Sequence, residues 1–262
     1  MDSTKTSAIA YFMIFGLWMA PALGSDTAKE KRWAEQIVDG IFDGEPKWLE
    51  AEGHKFLGIY TPATSSKPKG GALILHGVGV HPDWPQIINP LRVSLPARGW
   101  TTLSLQMPIL KNEAKIEEYT PLFKEVPGRL NAGIAFLKAQ GIQNIVIIAH
   151  SMGSAMASHY LANTDDATIK AYVGIGMGGN RSGTVLDNDV SLKKIGLPVL
   201  DIYGSNDIKP VLESVNQRAN AAKAANNSAY TQTKIDGADH FFEGHEKQLL
   251  DTITAWLEKT VK

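Results

Sequence analysis

The chain has 262 residues, a length that suits one large domain or two small ones. Hydrophobic residues make up 44% and charged residues 20%, a globular composition that excludes a disordered chain and a polytopic membrane protein. The 26 Lys and Arg against 27 Asp and Glu leave no excess positive charge, so we expect no nucleic-acid partner. The chain has no cysteine, which excludes disulfides, thiolate metal sites and a catalytic thiolate, so any covalent nucleophile must be oxygen or nitrogen.

The first 25 residues have the pattern of an export signal. Lys5 precedes an uncharged apolar run over residues 8–20, as in a secretory signal peptide. The small residues Ala22 and Gly24 suit the minus-three and minus-one positions of a cleavage site before Ser25. The sequence therefore predicts a cleaved signal peptide and a periplasmic or secreted protein.

An uncleaved membrane anchor is the alternative, because the chain is uncharged over residues 6–25. Pro21 and Gly24 lie where a spanning helix would have to continue, which favours cleavage. We therefore divide the chain into a signal peptide over residues 1–24 and a single domain over residues 25–262, with no stable membrane anchor after cleavage. No linker, long charge run or internal repeat marks a second domain in that sequence.

The first predicted elements are a helix and a hairpin. Apolar residues on one face predict an amphipathic helix over Ala28–Phe42, ended by the dipeptide Asp43-Gly44. Lys47–Glu50 and Lys55–Tyr60 then predict a short antiparallel hairpin around Glu52-Gly53.

Apolar runs of strand length alternate with helical stretches through the rest of the chain. Most of these runs carry no polar alternation, so we expect strands buried on both faces of a parallel sheet. The predicted fold class is a doubly wound α/β fold, with a mostly parallel sheet, helices on both faces and an antiparallel edge. The predicted strands are Ala72–Leu75, Thr101–Leu105, Ile145–Ala149, Ala171–Ile175, Val199–Tyr203 and Tyr230–Ile235. The predicted helices are Gln86–Ala97, Leu122–Ala139, Met152–Ala162, Val211–Ala225 and Lys247–Leu257.

The segment AHSMG, directly at the end of the third predicted strand, has the nucleophile-elbow pattern G-x-S-x-G with alanine in the first position. An elbow holds its serine in a strained turn that tolerates only small residues two positions before and after it, here Ala149 and Gly153. The pattern predicts Ser151 as a nucleophile beside the positive amino terminus of the next helix. An ordinary strand-to-helix turn with Ser151 as a cap is the alternative.

A glycine-rich loop, HGVGV over His76–Val80, follows the first predicted strand of the sheet. Hydrolases with a nucleophile elbow take one oxyanion donor from such a loop and the other from the residue after the nucleophile. We therefore expect the backbone N–H groups of Val78 and Met152 to form an oxyanion hole. The glycines also permit a tight turn, and a phosphate site is disfavoured because the chain has neither GxGxxG nor a Walker lysine there.

An acid and a base follow the last two predicted strands. Asp207 comes after the fifth strand and His240 after the sixth, in the chain order serine, acid, histidine of this arrangement. We predict His240 as the general base for Ser151, and Asp207 as the acid that orients its imidazole.

Asp201 is the rival acid and His245 the rival base. Asp201 lies inside a predicted strand, where we expect a buried side chain with a local hydrogen-bond partner. His245 is expected to begin the last helix. No HExxH motif or carboxylate cluster predicts a metal site, and we expect no cofactor. Capping, packing or surface roles are assigned to His54, His81, His150 and His159.

Two segments without a clear element pattern, Gln106–Thr120 and Gly176–Gly196, are predicted to cover the pocket. Some of their apolar residues either line an acyl pocket or pack in the core, and both alternatives stay open. These residues are Met107, Ile109, Leu110 and Met177.

From about Gly70 onward the chain resembles the α/β-hydrolase superfamily, and the pairing of HGVG with AHSMG looks like that of small bacterial lipases and esterases. The segments GWTTLSLQMP and PVLDIYGSND are similar to a poorly characterised branch of exported proteobacterial hydrolases. The resemblance implies the same triad and the same oxyanion donors as above. It does not imply a substrate class, because this fold hosts many chemistries.

These features predict a serine hydrolase that cleaves carboxylic esters through an acyl-enzyme on Ser151, acting on a small-molecule acyl substrate without a cofactor. The alternative is a catalytically silent hydrolase fold that serves as a binding protein. Peptidase and thioesterase activities use the same chemistry on another acyl donor, so the sequence does not separate them from an esterase.

Overall fold

The computed structural model describes residues 24–179 and 183–261. The strands are β1 (Glu45–Ala51), β2 (His54–Thr61), β3 (Gly70–Leu75), β4 (Trp100–Leu105), β5 (Ile145–His150), β6 (Ile169–Ile175), β7 (Val199–Gly204) and β8 (Tyr230–Ile235). The helices are α1 (Thr27–Val38), α2 (Ile88–Ser94), α3 (Val126–Ala139), α4 (Met152–Leu161), α5 (Asn188–Leu192), α6 (Lys209–Leu212), α7 (Val215–Ala224) and α8 (Glu246–Thr260), with 3-10 helices over Leu95–Arg98 and Ile116–Lys124. Apart from Gly24, the predicted signal peptide lies outside the described residues. None of the helices described here has the length and apolar character needed to cross a bilayer.

The strands form a mixed sheet with the spatial order β1-β2-β4-β3-β5-β6-β7-β8. β2 pairs antiparallel with both β1 and β4, and the remaining neighbours, from β4 and β3 to β7 and β8, pair in parallel. The predicted mostly parallel sheet with an antiparallel edge is therefore confirmed. Because the parallel strands share one direction, their carboxyl ends lie at one edge, where ligands bind in such sheets.

The antiparallel edge is built by the predicted hairpin. Ala51 of β1 faces His54 of β2 across a two-residue turn. Both turn residues, Glu52 and Gly53, have positive φ angles, 51° and 78°, as a type I′ turn requires. This turn matches the twist of paired strands, which explains why the short Glu-Gly signal is sufficient to reverse the chain.

The central strands are buried on both faces, as their apolar runs predicted. Successive side chains of a strand point to opposite faces of the sheet. Leu73 of β3 packs in a core cluster with Leu130 of α3, whereas Ile74 packs in a second cluster with Leu91 of α2. Helices therefore cover both faces, and the doubly wound α/β class is confirmed.

The first helix is shorter than its apolar pattern predicted. α1 ends at Val38 rather than at Phe42, and Phe42 is 97% exposed. The dipeptide Asp43-Gly44 does not end the helix but directly precedes β1 of the hairpin. Gly44 has a φ of 94°, and a Cβ there would lie 2.7 Å from the carbonyl oxygen of Tyr60, so glycine lets the chain approach β2 closely.

Three other predicted helices are interrupted. The stretch Gln86–Ala97 forms α2 and then a 3-10 turn with Pro96 in its first positions. The stretch 122–139 is divided before α3, where Pro127 lies in the first turn of the helix. Proline is tolerated there because the first-turn N–H groups have no intrahelical acceptor. The stretch Val211–Ala225 is divided into α6 and α7.

Candidate active site

A strained turn between β5 and α4 presents Ser151 at the carboxyl edge of the sheet. Ser151 has a φ of 55° and a ψ of −121°, a positive-φ conformation that residues with a side chain rarely adopt. A Cβ on Gly153 would lie 2.4 Å from the carbonyl oxygen of His76, so only glycine fits there. Ala149 is buried beneath the turn. The small residues on both sides of Ser151 are therefore what the local geometry requires.

The three predicted triad residues meet at this turn. His240 Nε2 lies 3.0 Å from Ser151 Oγ, and His240 Nδ1 lies 2.6 Å from Asp207 Oδ1. The Asp207 side chain has no exposed area, and that of His240 is 9% exposed. A carboxylate accepts hydrogen bonds only, so Nδ1 carries the proton and Nε2 is the acceptor that faces the serine. This arrangement can move the hydroxyl proton of Ser151 to His240.

The loop after β7 holds the Asp207 carboxylate in place. The backbone N–H of Ile208 donates to Asp207 Oδ1 over 2.8 Å, and the N–H of Gly204 lies 3.3 Å from Oδ2. These donors orient the carboxylate toward His240 before any substrate binds.

Gly176, at the end of β6, makes room for the imidazole of His240. Its φ is +58°, and a Cβ there would lie 2.9 Å from His240 Cε1. Its N–H donates to the carbonyl oxygen of Ile202. Gly176 is not among the predicted site residues; a glycine directly after a buried strand is the signal that marks it.

Two buried histidines support the site. His150 donates from Nε2 to the carbonyl oxygen of His240 over 2.9 Å, and the two rings lie 4.8 Å apart. His76 donates from Nδ1 to the carbonyl oxygen of Gly77 and accepts at Nε2 from the N–H of Met107. Burial lowers the pKa of each histidine to about 3, so both stay neutral. The sequence predicts a capping, packing or surface role for His150; its contact with the His240 backbone is visible only in three dimensions.

The predicted oxyanion donors border the cavity beside Ser151. Val78 and Met152 both line it. The loop of Val78 comes close to the nucleophile, since a Cβ on Gly77 would lie 3.0 Å from Ser151 Cβ. Met152 is the first residue of α4, so its N–H has no intrahelical acceptor. Within the described part of the chain, the N–H of Val78 also has no protein acceptor.

The rival acid and base have other partners. Asp201 is buried in β7 and accepts hydrogen bonds from Arg218 at 2.7 Å, Tyr230 at 2.6 Å and Gln232 at 2.9 Å. His245 precedes α8, and its Nδ1 lies 3.1 Å from the carbonyl oxygen of Glu243. Neither is hydrogen-bonded to a triad residue. Across residues 24–179 and 183–261, no three His, Asp or Glu side chains cluster in a way that could hold a metal ion.

An apolar cavity of about 350 Å³ opens beside the triad. Asn188, a polar residue of its lining, is fully buried. Its side chain is already hydrogen-bonded to Ser158 and to the carbonyl oxygen of Gly178. None of the described residues that line it is Lys, Arg, Asp or Glu. Its larger apolar walls are Val80, Ile116, Leu186, Ile208, Val211 and Phe241.

The two segments predicted to cover the pocket, Gln106–Thr120 and Gly176–Gly196, both contribute to this cavity. The four apolar residues that the sequence suggested for its lining do not. Met107, Ile109 and Met177 are at most 1% exposed, and none of them lines the cavity. Leu110 packs against the core cluster that holds Met107 and Met177. Core packing is thus the alternative that the structure supports for these residues. The segments instead contribute Ile116, from a 3-10 helix, and Leu186, just before α5.

Comparison with known proteins identifies a family and a fold. A family model described as "Protein of unknown function (DUF3530)" matches residues 21–124 and 117–259. No curated protein sequence matches the chain.

Similar solved structures include Est1E from Butyrivibrio proteoclasticus, with 16% identity, coverage of 84% of this chain and 99% of that chain, and a TM-score of 0.63. A dienelactone hydrolase from Anabaena variabilis has 19% identity, the same two coverages and a TM-score of 0.65. The Pyrococcus furiosus esterase Pf2001 has 18% identity, coverage of 84% and 92%, and a TM-score of 0.66. The likeness shows the fold, and the expected α/β-hydrolase resemblance is confirmed; membership of an exported proteobacterial branch stays a prediction.

Proposed function

The chain belongs to the DUF3530 family of proteins of unknown function, and we propose that it is a serine hydrolase that cleaves carboxylic esters through an acyl-enzyme on Ser151. One observation carries the proposal: Ser151, His240 and Asp207 are joined by consecutive hydrogen bonds beside an apolar cavity. The similar structures, which include an esterase and a dienelactone hydrolase, support the same class of chemistry.

The reaction proceeds in two halves. Ser151 Oγ attacks the ester carbonyl carbon while His240 Nε2 takes its proton, and the N–H groups of Val78 and Met152 stabilise the negative carbonyl oxygen. The imidazolium then gives the proton to the departing alkoxide, which leaves as an alcohol. In the second half His240 deprotonates water, which attacks the acyl-enzyme. The imidazolium then returns the proton to Ser151 Oγ as the carboxylic acid leaves.

A positive charge develops on His240 during the reaction, and the neighbouring side chains affect how well that charge is stabilised. The Asp207 carboxylate lies against Nδ1 and stabilises the imidazolium. The ring of His150 lies 4.8 Å from the same ring but is neutral, because burial lowers the pKa of His150 to about 3. A second positive charge at that distance would oppose proton transfer to His240.

The cavity favours an apolar, uncharged acyl group. Its volume of about 350 Å³ lies in the range of small-molecule pockets. Its described lining offers no charged group, and Asn188 is already hydrogen-bonded to protein partners. An acyl carboxylate or ammonium buried there would lose hydration without gaining a partner, whereas an alkyl or aryl acyl chain would be stabilised by burial.

Covalent labelling tests the nucleophile. A fluorophosphonate probe should modify the wild-type protein on Ser151, and Ser151→Ala should abolish the labelling and lower turnover of p-nitrophenyl esters by roughly 10⁶-fold. Ser66→Ala, a change of an exposed serine outside the cavity, is the matched control and should be labelled normally. Folded wild-type protein that is not labelled would instead support the silent binding protein.

The acyl preference is measured with p-nitrophenyl acetate, butyrate, octanoate and succinate. We expect kcat/KM to rise from acetate to butyrate, because each buried methylene adds about 0.8 kcal/mol of binding. The charged succinate should be the poorest substrate. Preference for succinate would contradict the apolar pocket while leaving the serine mechanism intact.

A further inference from the structure

Ser25 is held by a carboxylate from a distant part of the chain. Its backbone nitrogen lies 3.0 Å from Glu125 Oε1, and its hydroxyl lies 2.7 Å from Glu125 Oε2. Arg129 Nη2 also lies 3.1 Å from the Ser25 hydroxyl. Both oxygens of one carboxylate are thus directed at the residue that the sequence predicts as the first of the mature chain.

Two carboxylates near Ser25, those of Glu30 and Glu125, share the guanidinium of Arg129. Arg129 is 2% exposed and forms a double ion pair with Glu30, at 2.9 Å and 3.0 Å. Its separation from Glu125 is longer, 3.5 Å. The guanidinium is therefore matched by Glu30, and the Glu125 carboxylate faces the nitrogen of Ser25.

Other charged groups border this place without pairing with Glu125. His54 Nε2 lies 3.0 Å from Glu30 Oε2, the oxygen that also contacts Arg129. Glu52 and Lys124 line a cavity of about 260 Å³ that also includes Ser25 and Glu125. No ion pair between Lys124 and Glu125 is formed in the described structure. A positive charge on the Ser25 nitrogen would balance the cluster.

The position of Ser25 is set by the residues that follow it. Asp26 donates its N–H to the carbonyl oxygen of Ile109 over 2.7 Å, and its side chain caps α1 by accepting from the N–H of Lys29. Gly24, in contrast, is exposed and borders the cavity. Removal of the chain before Ser25 would therefore leave these contacts in place.

We propose that cleavage of the Gly24–Ser25 peptide bond during export creates an α-ammonium group that binds the Glu125 carboxylate, so that maturation stabilises the folded protein. A peptidase adds water across the bond: Gly24 leaves as a carboxylate and Ser25 keeps its nitrogen as an ammonium. The amide N–H of the precursor is a neutral donor to Glu125, and the ammonium is a charged one. The bond of the precursor is already charge-assisted by the carboxylate, and the ammonium adds to it the Coulomb attraction of a second, opposite charge.

The sequence and the geometry of the folded domain point independently to Ser25. Ala22 and Gly24 place the cleavage site before Ser25, and the folded domain offers a carboxylate at 3.0 Å from the nitrogen that cleavage would charge. The ligand of the site is the chain's own new amino terminus.

Thermal unfolding of two chains tests the ammonium site. One chain begins at Ser25 and the other at Gly24, each released from a fusion partner by a protease that leaves no extra residue. The Ser25 chain should melt about 2 to 4 °C higher, because its ammonium lies at Glu125 while that of the Gly24 chain lies one residue farther away. Equal midpoints would overturn the proposal, whatever the variants below do.

Glu125→Gln should abolish the difference between the two chains, since the amide is neutral and its nitrogen cannot accept. Glu117→Gln, a change of an exposed glutamate in the 3-10 helix that directly precedes Glu125, is the matched control and should preserve the difference. A difference in melting midpoint that survives Glu125→Gln would contradict the role of Glu125.

Export of the full chain followed by amino-terminal sequencing should give Ser25 as the first residue. Any other first residue would refute the processing step.

Discussion

The two nitrogens of His240 face different partners, and in the proposed mechanism this difference sets the direction of proton transfer. Nδ1 lies 2.6 Å from Asp207, and Nε2 lies 3.0 Å from Ser151. The carboxylate selects the tautomer with the proton on Nδ1, which leaves the lone pair of Nε2 toward the hydroxyl. The side chain at position 207 should therefore act on catalysis through His240.

Asp207→Asn should lower kcat by about 10³ to 10⁴-fold, because an amide can donate to Nδ1 and favour the wrong tautomer. Ester hydrolysis and circular dichroism measure activity and folding together. Asp236→Asn, at an exposed site, is the control and should change kcat by less than about twofold. Loss of activity in folded Asp201→Asn, with Asp207→Asn fully active, would contradict the assignment of the acid.

At the scale of elements, glycines allow the segment after β3 to approach the one after β5, and the segment after β6 to approach the one after β8. A Cβ would lie 3.0 Å from Ser151 Cβ at Gly77, 2.4 Å from a backbone oxygen at Gly153 and 2.9 Å from His240 Cε1 at Gly176. Such contacts are tighter than packed atoms allow, so a side chain there must displace its neighbour. The site depends on these close approaches between loops.

Gly176→Ala should reduce kcat by at least about tenfold, because its Cβ displaces the imidazole of His240 and misplacement near 1 Å costs about 10²-fold. Gly141→Ala is the matched control: its φ is +81°, but a Cβ there meets nothing within 4 Å. Both variants should lose thermal stability from the positive φ, and Gly176→Ala should lose more because its Cβ also overpacks the site. An equal loss of activity in both would contradict the steric explanation.

Val78→Pro removes the backbone N–H that is proposed to bind the oxyanion. Turnover should fall by about 10² to 10³-fold, the usual effect of losing one oxyanion donor. Val78→Ala keeps the N–H and should retain most of the activity, which separates the backbone role from that of the side chain. Steady-state kinetics and circular dichroism on both variants provide the measurement; a folded, fully active Val78→Pro protein would exclude this donor.

At the scale of the whole molecule, buried neutral histidines link stability to pH. Burial lowers the pKa of His76 and of His150 from 6.5 to about 3. The unfolded chain binds protons on them below about pH 6.5, whereas the folded chain does not until about pH 3. Their contribution to stability is complete above pH 6.5 and decreases as the pH falls toward 3. His81 and His159, whose pKa values burial also lowers, act in the same direction.

The free energy of unfolding should therefore decrease between pH 6.5 and 5, with a limiting slope of about 1.4 kcal/mol per pH unit for each buried histidine. Urea unfolding at several pH values measures the slope. His150→Gln should lower this limiting slope by about 1.4 kcal/mol per pH unit, because one proton fewer is taken up on unfolding. Leu249→Ala, a cavity-forming change in the core, should lower stability at every pH and leave the slope unchanged. Stability that is constant over this range would contradict the prediction.

Much of the fold was predictable because strands and tight turns depend on neighbouring residues. Unbroken apolar runs marked the central strands, and Glu52-Gly53 marked the hairpin. Helix ends were less predictable from sequence. The apolar face of the first helix continues to Phe42, but the helix ends at Val38, and Gly44 is needed for the approach to β2. That requirement comes from a strand later in the chain, so the periodicity of the helix carries no sign of it.

Local sequence was enough to nominate Ser151, Asp207 and His240, because each follows a predicted strand and parallel strands end at one edge. Distances between segments far apart in sequence were needed for the rest. Packing across the sheet brought Asp207, not Asp201, to His240, and it directed His150 to the His240 carbonyl. A residue's type and its neighbours determine strand, turn and candidate chemistry, whereas the contacts of a buried side chain depend on where the other loops lie.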